Sequence, residues 1–360
     1  MSLSDIQGHA ELEDTTEPLD LPPIIPNSEL QLDADISCYY HAWTDISLGL
    51  CIEQLKKQIE MKRLLAGCEI VNIHTTHGAK AGRNRAAKVT MYQDTRKKTQ
   101  TDPLKDQRVR DLRQFLQNYE TDTVKAYPQF EIEADDSMAI RQRECIEQGI
   151  HSIIQTKDKD LDMCYGNHLD YDETDIKQMY FVPDGYGKLF LEETKKPADN
   201  TKGFTVKKKL KGYGTSFFWA QMLMGDTADS IPGLPKLSGS LLNQYQPTQA
   251  TLKAEKNLYS GTPKQQEAAL KVLNNRKAAT VGQITAYNIL KTCKNDQEAF
   301  ERVREAYRQH YGTFEFEFED WRGNITTETA GSMLLEQATL LWMLRTRDDS
   351  VVKFFKERLQ

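Results

Sequence analysis

Four acidic clusters carry the clearest chemical signal in this sequence. Each contains closely spaced carboxylates, and the first three follow short apolar runs that are typical of strands. The clusters are Asp33-Ala34-Asp35, Glu133-Ala134-Asp135-Asp136, Asp158-Lys159-Asp160 and Gly225-Asp226-Thr227-Ala228-Asp229. Because neighbouring parallel strands end at one edge of a sheet, we expect these side chains to meet at that edge.

Carboxylates that share a cleft need cations to offset their mutual repulsion. Sites made only of oxygen ligands suit Mg²⁺ or Mn²⁺ rather than a soft metal. Pairs of such ions recur in enzymes that hydrolyse phosphodiesters. The clusters therefore predict a centre for divalent cations, and phosphodiester hydrolysis is the chemistry that it would support.

Basic residues are concentrated in two segments, although the net charge of the chain is −6. The first segment lies between residues 80 and 113, and the second between residues 202 and 211. A local concentration of charge attracts a polyanion more than the total charge does. Such a run usually marks a solvated helix face, but a basic arm beside a carboxylate cleft also suits phosphate-backbone binding.

The composition argues against several other classes of protein. The six cysteines form no Cys-x-x-Cys pair, which disfavours a zinc site and a disulfide framework. The sequence has neither a secretory signal nor an apolar run long enough to span a bilayer. We therefore expect a reduced, cytoplasmic protein with no membrane partner.

Alternating strand and helix patterns predict an α/β fold with a mainly parallel sheet flanked by helices. The predicted strands cover 30–36, 69–74, 129–133 and 150–155, followed by an edge pair at 179–183 and 188–192. From about residue 205 the sequence predicts mainly helices in place of strands. The predicted helices cover 217–224, 284–290 and 334–343, and one further strand is predicted at 315–321. Residues 234–279 are polar and rich in turn-forming residues.

Each acidic cluster also has a plainer interpretation. Asp135 and Asp136 could simply cap a helix and favour its dipole. Asp158 and Asp160 could lie in a solvated loop, which is the commoner place for charged residues. The turn after Gly225 could be an ordinary connection between helices.

Taken together, the clusters resemble the 5′-nuclease family, which contains the 5′→3′ exonuclease domains of bacterial DNA polymerases, flap endonucleases and phage-encoded exonucleases. The matching residues, in the order and spacing of the family, are Asp33, Glu133-Ala134-Asp135-Asp136, Asp158-Lys159-Asp160-Leu161 and Gly225-Asp226-x-x-Asp229-x-Ile231-Pro232-Gly233. Residues 281–286 are similar to the glycine-containing hairpin of the family. Residues 78–83 and 92–96 look like the arch segment of the phage-encoded members. The likeness covers roughly residues 29–295.

This resemblance implies a particular division of the chain. A disordered acidic tail (1–28) would precede a PIN-like nuclease domain (29–205) that contains a basic arch segment (78–120). A helix–three-turn–helix DNA-binding domain (206–310) with an insertion (234–279) would follow. A C-terminal extension (311–360) would pack on the core.

The resemblance also implies an activity. The protein would be a Mg²⁺-dependent 5′→3′ exonuclease or structure-specific 5′ flap endonuclease that hydrolyses DNA by a two-metal mechanism, in phage DNA replication or degradation. Mn²⁺ would substitute for Mg²⁺, and a K⁺ ion would bind at the hairpin near Gly282. The implied partners are DNA with 5′ ends or flaps, RNA–DNA hybrids and a polymerase acting in trans, for a monomer in the host cytoplasm.

Roles follow for individual residues from the same resemblance. Three residues would hold mainly the first ion: Asp33, Glu133 and Asp135. Asp158 would lie between the two ions. The second ion would be held by Asp160, Asp226 and Asp229. Asp136 would support the cluster. The implied catalytic cations are Arg83 and Lys88. The implied DNA contacts are Arg83, Arg85, Lys88, Arg96, Lys97, Gly282 and Thr285.

The chain departs from the family pattern at three places. Thr75 and Thr76 stand where members often carry another Asp, and Asp35 is a candidate substitute. Gln93 replaces a frequent Lys, so Lys88 or Lys97 would take over its electrostatic role. The insertion 234–279 separates the Pro-Gly turn from the hairpin glycine, where members have only a few residues.

Two alternatives belong to other functional classes. A haloacid-dehalogenase-like phosphatase would use Asp33-x-Asp35-x-Ser37 as its nucleophile motif. A non-catalytic binder of DNA structures would keep the basic segments without needing the acidic clusters. Hydrolysis of a small phosphomonoester, compared with cleavage of a 5′-labelled duplex, separates the enzyme classes.

Overall fold

The computed structural model describes residues 21–94, 102–170, 178–197 and 204–359. Its centre is a six-stranded sheet with the strand order β3-β2-β1-β4-β5-β6, in which only the last strand runs antiparallel to its neighbour. The strands are β1 (Ile25–Asp33), β2 (Cys68–Thr76), β3 (Val124–Gln129), β4 (His151–Gln155), β5 (Gly166–Asp170) and β6 (Gln178–Val182). The predicted α/β class with a mainly parallel sheet is confirmed.

Helices cover both faces of this sheet. On one face a single hydrophobic cluster joins the apolar side chains of three helices to those of the strands. These helices are α1 (Ala34–His41), α2 (Leu48–Ala66) and α4 (Pro103–Leu116), and a short helix, α3 (Arg83–Ala86), precedes α4. On the other face α5 (Ala134–Glu147) packs against β1, β2 and β4. Because both faces are covered, the central strands bury side chains on both sides, and these include the polar Gln31, Asn72 and His74.

Strand β1 begins and ends earlier than predicted. It covers residues 25–28, which the sequence assigned to a disordered tail, whereas residues 1–20 lie outside the described residues. Its last residue, Asp33, caps helix α1 by accepting a hydrogen bond from the amide of Ile36 at 3.1 Å. Asp35 is therefore in the first turn of a helix rather than at the end of a strand.

The predicted strand at 129–133 is wrong, because β3 ends at Gln129. Beyond this residue the chain bends and runs beside residues 77–81, and the amide of Ala79 donates to the carbonyl of Phe130 at 2.6 Å. A Cβ atom at Gly78 would lie 1.8 Å from that carbonyl oxygen, so this close approach of two backbones requires glycine.

The predicted edge pair at 179–183 and 188–192 is also wrong. Strand β6 pairs with β5 instead, while β7 (Lys188–Pro197) and β8 (Phe204–Tyr213) form a separate antiparallel ribbon. Strands therefore continue past residue 205, where the sequence predicted helices. The described lysines of the second basic segment, Lys207, Lys208, Lys209 and Lys211, lie on β8.

The rest of the chain is mainly helical. Its helices are α6 (Thr215–Met224), α7 (Gly239–Tyr245), α8 (Gln249–Ser260), α9 (Pro263–Asn274), α10 (Gln283–Leu290), α11 (Asp296–Tyr311), α12 (Ala330–Leu341) and α13 (Val351–Arg358). A hairpin of β9 (Phe316–Glu319) and β10 (Ile325–Glu328) precedes α12. The helices predicted at 217–224, 284–290 and 334–343 and the strand at 315–321 are confirmed, but 234–279 forms three helices rather than turns.

A second hydrophobic cluster unites this helical part with the sheet. It joins Met138 and Ile154 to Trp219 in α6, and it extends to Trp342 and Phe354 near the C-terminus. No helix in the described part of the chain has the length and apolar character needed to cross a bilayer. The second hydrophobic cluster contains residues of both the sheet and the helical part. The predicted division into domains therefore stays a prediction.

Candidate metal centre

Neighbouring strands β1 and β4 bring the first and third acidic clusters together. Asp33 is the last residue of β1, and its carboxylate accepts a hydrogen bond of 2.8 Å from the hydroxyl of Thr156, just after β4. The same hydroxyl accepts the amide of Asp158 at 3.0 Å. Asp158 then caps the 3₁₀ turn Lys159–Met163 by accepting the amide of Asp160 at 2.9 Å. Thr156 therefore connects Asp33 to the Asp158 turn.

The first turn of α5 adds the second cluster. Glu133 caps this helix, and the hydroxyl of Thr76, at the end of β2, accepts the amide of Ala134 at 2.9 Å. This contact fixes the start of α5 at the edge of the sheet where β1 and β4 also end. Glu133 and Asp135 consequently face the carboxylates from those strands.

These elements enclose a cavity of about 760 Å³. Its wall carries seven carboxylate residues from all four acidic clusters: Asp33, Asp35, Glu133, Asp135, Asp158, Asp160 and Asp229. Three basic residues also line it: Lys80, Arg83 and Arg113. The expected convergence of remote carboxylates is thus a feature of the structure.

Asp135 is the least compensated of these carboxylates. Within the described residues it accepts no hydrogen bond and pairs with no cation. Its removal from water, reinforced by the charges of Asp33 and Asp158, raises its pKa well above the ordinary value. Burial also raises the pKa of Asp158 to about 6 and, with the charge of Asp158, that of Asp160 to about 7. Such shifts arise where several acids compete for too little positive charge.

A second group of carboxylates is held by side chains of the protein. The amide of Gln221 donates to Asp160 at 2.7 Å and to Asp226 at 3.2 Å. The ammonium of Lys159 contacts the same two carboxylates. Although burial opposes its charged form, Asp160 and Asp226 raise the pKa of Lys159. These two carboxylates thus share one ammonium and one side-chain amide, whereas Asp135 has neither among the described residues.

Tyr92 and Gln93 connect the two groups. The hydroxyl of Tyr92 lies 2.9 Å from a carboxylate oxygen of Glu133 and 3.2 Å from one of Asp229. The side-chain amide of Gln93 donates to Asp229 at 3.1 Å. Burial, with the charge of Glu133, raises the pKa of Tyr92, which keeps its hydroxyl protonated as a donor. Residues within the predicted arch segment thus fix carboxylates from two different clusters.

Arg83 is buried in the structure rather than exposed to an incoming strand. Its guanidinium binds both oxygens of Asp136 at 2.7 and 2.8 Å, Glu133 at 2.7 Å and the carbonyl of Trp342 at 2.7 Å. Asp136 also accepts the amide of Leu344 at 3.0 Å and is fully buried. The predicted DNA contact of Arg83 and the predicted metal contact of Asp136 therefore do not fit their surroundings, because each already satisfies the other.

The other predicted cations lie in different places. Lys88 forms an ion pair of 2.5 Å with the buried carboxylate of Glu328, away from the cavity wall. Arg85 is exposed on α3. Arg96 and Lys97 lie outside the described residues. Lys80, which the sequence placed only within a basic run, is instead the lysine that lines the cavity.

Asp35 lines the cavity near Thr76, as expected for a substitute for the missing Asp. Its carboxylate forms an ion pair of 2.8 Å with Arg113 and accepts the amide of Thr76 at 3.2 Å. Its role as a metal ligand stays a prediction. The phosphatase alternative needs Asp35 free to act beside Asp33, and the pairing with Arg113 disfavours that arrangement.

The two remaining predicted residues lie elsewhere. Gly282 caps α10, and the hydroxyl of Thr285 donates to Gln246 at 2.6 Å. Both line a groove beside β8 that shares no residue with the carboxylate cavity. The structure therefore places Gly282 and Thr285 apart from the acidic clusters. Their contact with DNA stays a prediction.

The donor set fits hard divalent cations. The cavity offers carboxylate oxygens without any Cys or His among its acidic clusters, which suits Mg²⁺ or Mn²⁺. Across the described ranges, no three His, Cys, Asp or Glu side chains are arranged as they stand to hold a metal ion. Several of the carboxylates instead contact Lys159, Gln221 and Tyr92.

Sequence reasoning missed several residues of this centre. Gln221 was hidden within the apolar helix α6, and Thr156 was noted only as part of a strand end. Gln221 stands five residues before Asp226, and a polar side chain near the end of so apolar a helix was the available signal. The contacts of Arg83 had no such signal, because its partners lie about 50 and 260 residues away in the chain.

No family model matches the chain, and no curated protein matches its sequence. Among solved structures, the chain is similar to a bacteriophage T5 protein co-crystallised with metal ions, at 12% identity and a TM-score of 0.37, over 78% of this chain and 92% of that one. It is also similar to the T5 flap endonuclease in complex with DNA and metal ions, at 11% identity and a TM-score of 0.41. A third is the T5 5′-exonuclease with bound zinc, at 12% identity and a TM-score of 0.41. The last two alignments each cover 78% of this chain and 97% of the other. At these identities the similarity concerns the fold alone.

Proposed function

We propose that this protein is a divalent-metal-dependent nuclease that hydrolyses DNA phosphodiesters. The observation that carries the proposal is Asp135, an unpaired carboxylate in a cavity wall beside Asp33 and Asp158. A carboxylate in such surroundings is costly unless a cation binds it. A cavity that is built from remote parts of the chain to gather these acids is therefore best explained by cation binding.

Within this proposal the acids divide into two sets. Asp33, Glu133 and Asp135 would hold one ion, and Asp158 would lie between the ions. Asp160, Asp226 and Asp229 would hold the other. Bound Mg²⁺ would supply Lewis-acid stabilisation of charge that develops on the phosphate, and it would lower the pKa of water. Mg²⁺ is the ion that we propose, with Mn²⁺ as a substitute, because the ligands are all oxygen.

The chain's own residues would position the ligands and the substrate. Arg83 fixes Glu133 through one of its hydrogen bonds, and Tyr92 orients the same carboxylate. Lys80 approaches Glu133 at 3.9 Å from the cavity wall, and its side chain is partly exposed. We therefore replace the predicted role of Arg83 as a phosphate contact with Lys80, and we assign Arg83 to positioning.

Preference for 5′ ends or flaps is the finer part of the proposal. It is supported by the family motifs and by the basic segment between residues 80 and 113, of which Lys80, Arg83 and Arg113 line the cavity. Action on RNA–DNA hybrids, a K⁺ ion near Gly282, a polymerase partner and a role in phage DNA metabolism stay predictions from the resemblance.

A single substitution tests the proposal. Asp158→Asn keeps the size of the side chain but removes a charge that both ions would share. We expect cleavage of a 5′-labelled flap substrate in Mg²⁺ to fall by about 10²–10³-fold, as for other preorganised electrostatic groups. Duplex binding in Ca²⁺ should change little. Asp122→Asn, an exposed position, is the matched control. Undiminished Mg²⁺-dependent cleavage by a folded Asp158→Asn protein would refute the proposal.

A further inference from the structure

A basic two-stranded ribbon extends from the carboxylate centre. Strands β7 and β8 pair along their whole length, from Lys188 opposite Tyr213 to Pro197 opposite Phe204. At its base the amide of Gly214 donates to the carbonyl of Asp162 at 3.0 Å, two residues beyond Asp160. Strands of this length span about 30 Å. The ribbon therefore starts beside the proposed metal ligands and reaches well beyond them.

One face of the ribbon is cationic. Residues directly opposed in an antiparallel pair place their side chains on the same face, and successive residues alternate between faces. The register puts four lysines and one glutamate on this face: Lys188, Lys207, Lys209, Lys211 and Glu192. We call it the cationic face. The opposite face is different, because Leu189 and Leu210 pack on the core and Lys208 pairs with Glu193 at 2.6 Å.

The cationic face keeps an excess of positive charge among the described residues, with four lysines and one carboxylate. Lys207 and Lys209 are exposed and form no ion pair with a described carboxylate, although Glu192 lies directly opposite Lys209 in the register. Lysines two residues apart on a strand lie about 7 Å from each other, so they repel. A surface that keeps several like charges together with so few counter-charges is typical of one that binds an anion with repeated charges.

The cationic face also forms one wall of an open groove. Lys207 and Lys209 line it together with Thr194 and with Lys208 of the opposite face, and the other wall is the start of α10, at Gly282 and Thr285. The side chain of Gln283 accepts the amide of Leu210 at 2.7 Å and fixes the two walls to each other. The volume of the groove is about 660 Å³. This combination suits an elongated anion that lies along the ribbon.

We propose that the cationic face binds the sugar–phosphate backbone of double-stranded DNA whose scissile phosphate lies at the carboxylate centre. The inference rests on the proposed function, because it takes DNA to be the substrate. A two-stranded ribbon is narrow enough to follow a groove of the duplex, and about 30 Å corresponds to roughly nine base pairs. Lysines bind phosphates as point charges, independently of sequence.

Double-stranded rather than single-stranded DNA fits this face better. Proteins that bind single strands combine positive charge with several aromatic rings on which bases stack. The cationic face has two aromatic rings, Phe190, which is 41% exposed, and the half-buried Tyr213, and both lie near the base of the ribbon. Around Lys207 and Lys209 the described part of this face carries no ring, and its lysines match the regular charge of a duplex backbone.

The test is duplex binding by the Lys207→Ala/Lys209→Ala double variant. Fluorescence anisotropy in Ca²⁺, with a labelled duplex of about 20 base pairs, gives Kd over a range of salt concentrations. Loss of two phosphate contacts should raise Kd on the order of 10- to 100-fold near 0.1 M salt and lower the slope of log K against log salt by about 2. The control, Lys353→Ala/Lys356→Ala on α13, removes the same charge and should leave Kd unchanged.

Each outcome separates the ribbon from the nuclease proposal. A double variant that melts like the wild type and binds the duplex with unchanged Kd and salt slope overturns the ribbon inference. An equal loss for a single strand of the same length overturns the assignment to duplex DNA. A third outcome is that the double variant loses duplex binding while the wild-type protein cleaves no DNA in Mg²⁺ or Mn²⁺. That outcome supports the ribbon inference and refutes the nuclease proposal.

Discussion

Asp135 differs from the surrounding acids in having no hydrogen bond or ion pair among the described residues. Asp33 is held by Thr156, Asp160 by Gln221, and Glu133 by Arg83. Burial raises the pKa of Asp135, and the nearby charges of Asp33 and Asp158 raise it further. At the scale of single residues, the proposed chemistry therefore depends on a local deficit of positive charge rather than on any sequence motif.

The raised pKa values predict how stability depends on pH without metal. A carboxyl group whose pKa is higher in the folded protein stabilises the fold at pH below its unfolded pKa, near 4, and this stabilisation is lost as the pH rises through the folded value. Asp158 and Asp160, with folded values of about 6 and 7, should lower metal-free stability between about pH 4 and 7. The loss should be on the order of a few kcal/mol.

Mg²⁺ should reverse this loss, because the ion binds the deprotonated carboxylates. Thermal unfolding with and without Mg²⁺ measures the effect, and the increase in Tm should be larger at pH 8 than at pH 5. Subtracting the pH dependence of Tm without Mg²⁺ from that with Mg²⁺ removes the contributions of groups remote from the site. One such group is His74, because burial lowers its pKa to about 3. An increase that is independent of pH would contradict this assignment of the shifts.

The turn of the β9–β10 hairpin forms hydrogen bonds with the segment that leads to Tyr92. The amide of Trp321 donates to the carbonyl of Lys88 at 3.0 Å, and its indole donates to that of Ala87 at 3.1 Å. The guanidinium of Arg322 stacks on the ring of Trp321 at 4.2 Å and donates to Ala87 at 2.8 Å. Residues beyond the span of the family resemblance thus position a part of the candidate site.

Weakening these hydrogen bonds should affect turnover more than stability. Arg322→Ala removes the hydrogen bond to Ala87 while leaving the core intact, so we expect kcat for DNA cleavage to fall severalfold with a small change in Tm. Arg308→Ala, on the exposed surface of α11, removes a comparable arginine that contacts only Glu305 and should leave kcat unchanged. Equal kcat values for Arg322→Ala and the wild type would show that the hairpin does not position the site.

The elements that the sequence predicted well are those with apolar runs. Strands β1 and β4 contain Leu30, Leu32, Ile153 and Ile154, all fully buried, and such runs predict central strands. Strand β3 was misplaced because it is short, includes Pro128 and is mostly half-buried at the sheet edge. Helices α8 and α9 were missed because they are mostly exposed, although their capping boxes at Thr248 and Thr262 were available signals.

At the scale of the whole molecule, one hydrophobic cluster connects the candidate site to both ends of the helical part. Trp219 packs between Phe355 and Phe354, and Phe354 stacks on Trp342 at 4.4 Å. The carbonyl of Trp342 in turn accepts a hydrogen bond from Arg83. The sequence located the acidic residues because the members of each motif are close together in the chain. It did not locate the side chains that hold them, because these come close to the motifs only when the chain folds.

The most direct test of the account is a calorimetric titration of the purified protein with Mn²⁺ at pH 7.5. The convergence of carboxylates predicts two bound ions per chain, and Asp135→Asn should lose one of them while remaining folded by thermal unfolding. Absence of saturable Mn²⁺ binding by the wild-type protein, or full retention of both ions by Asp135→Asn, would contradict it.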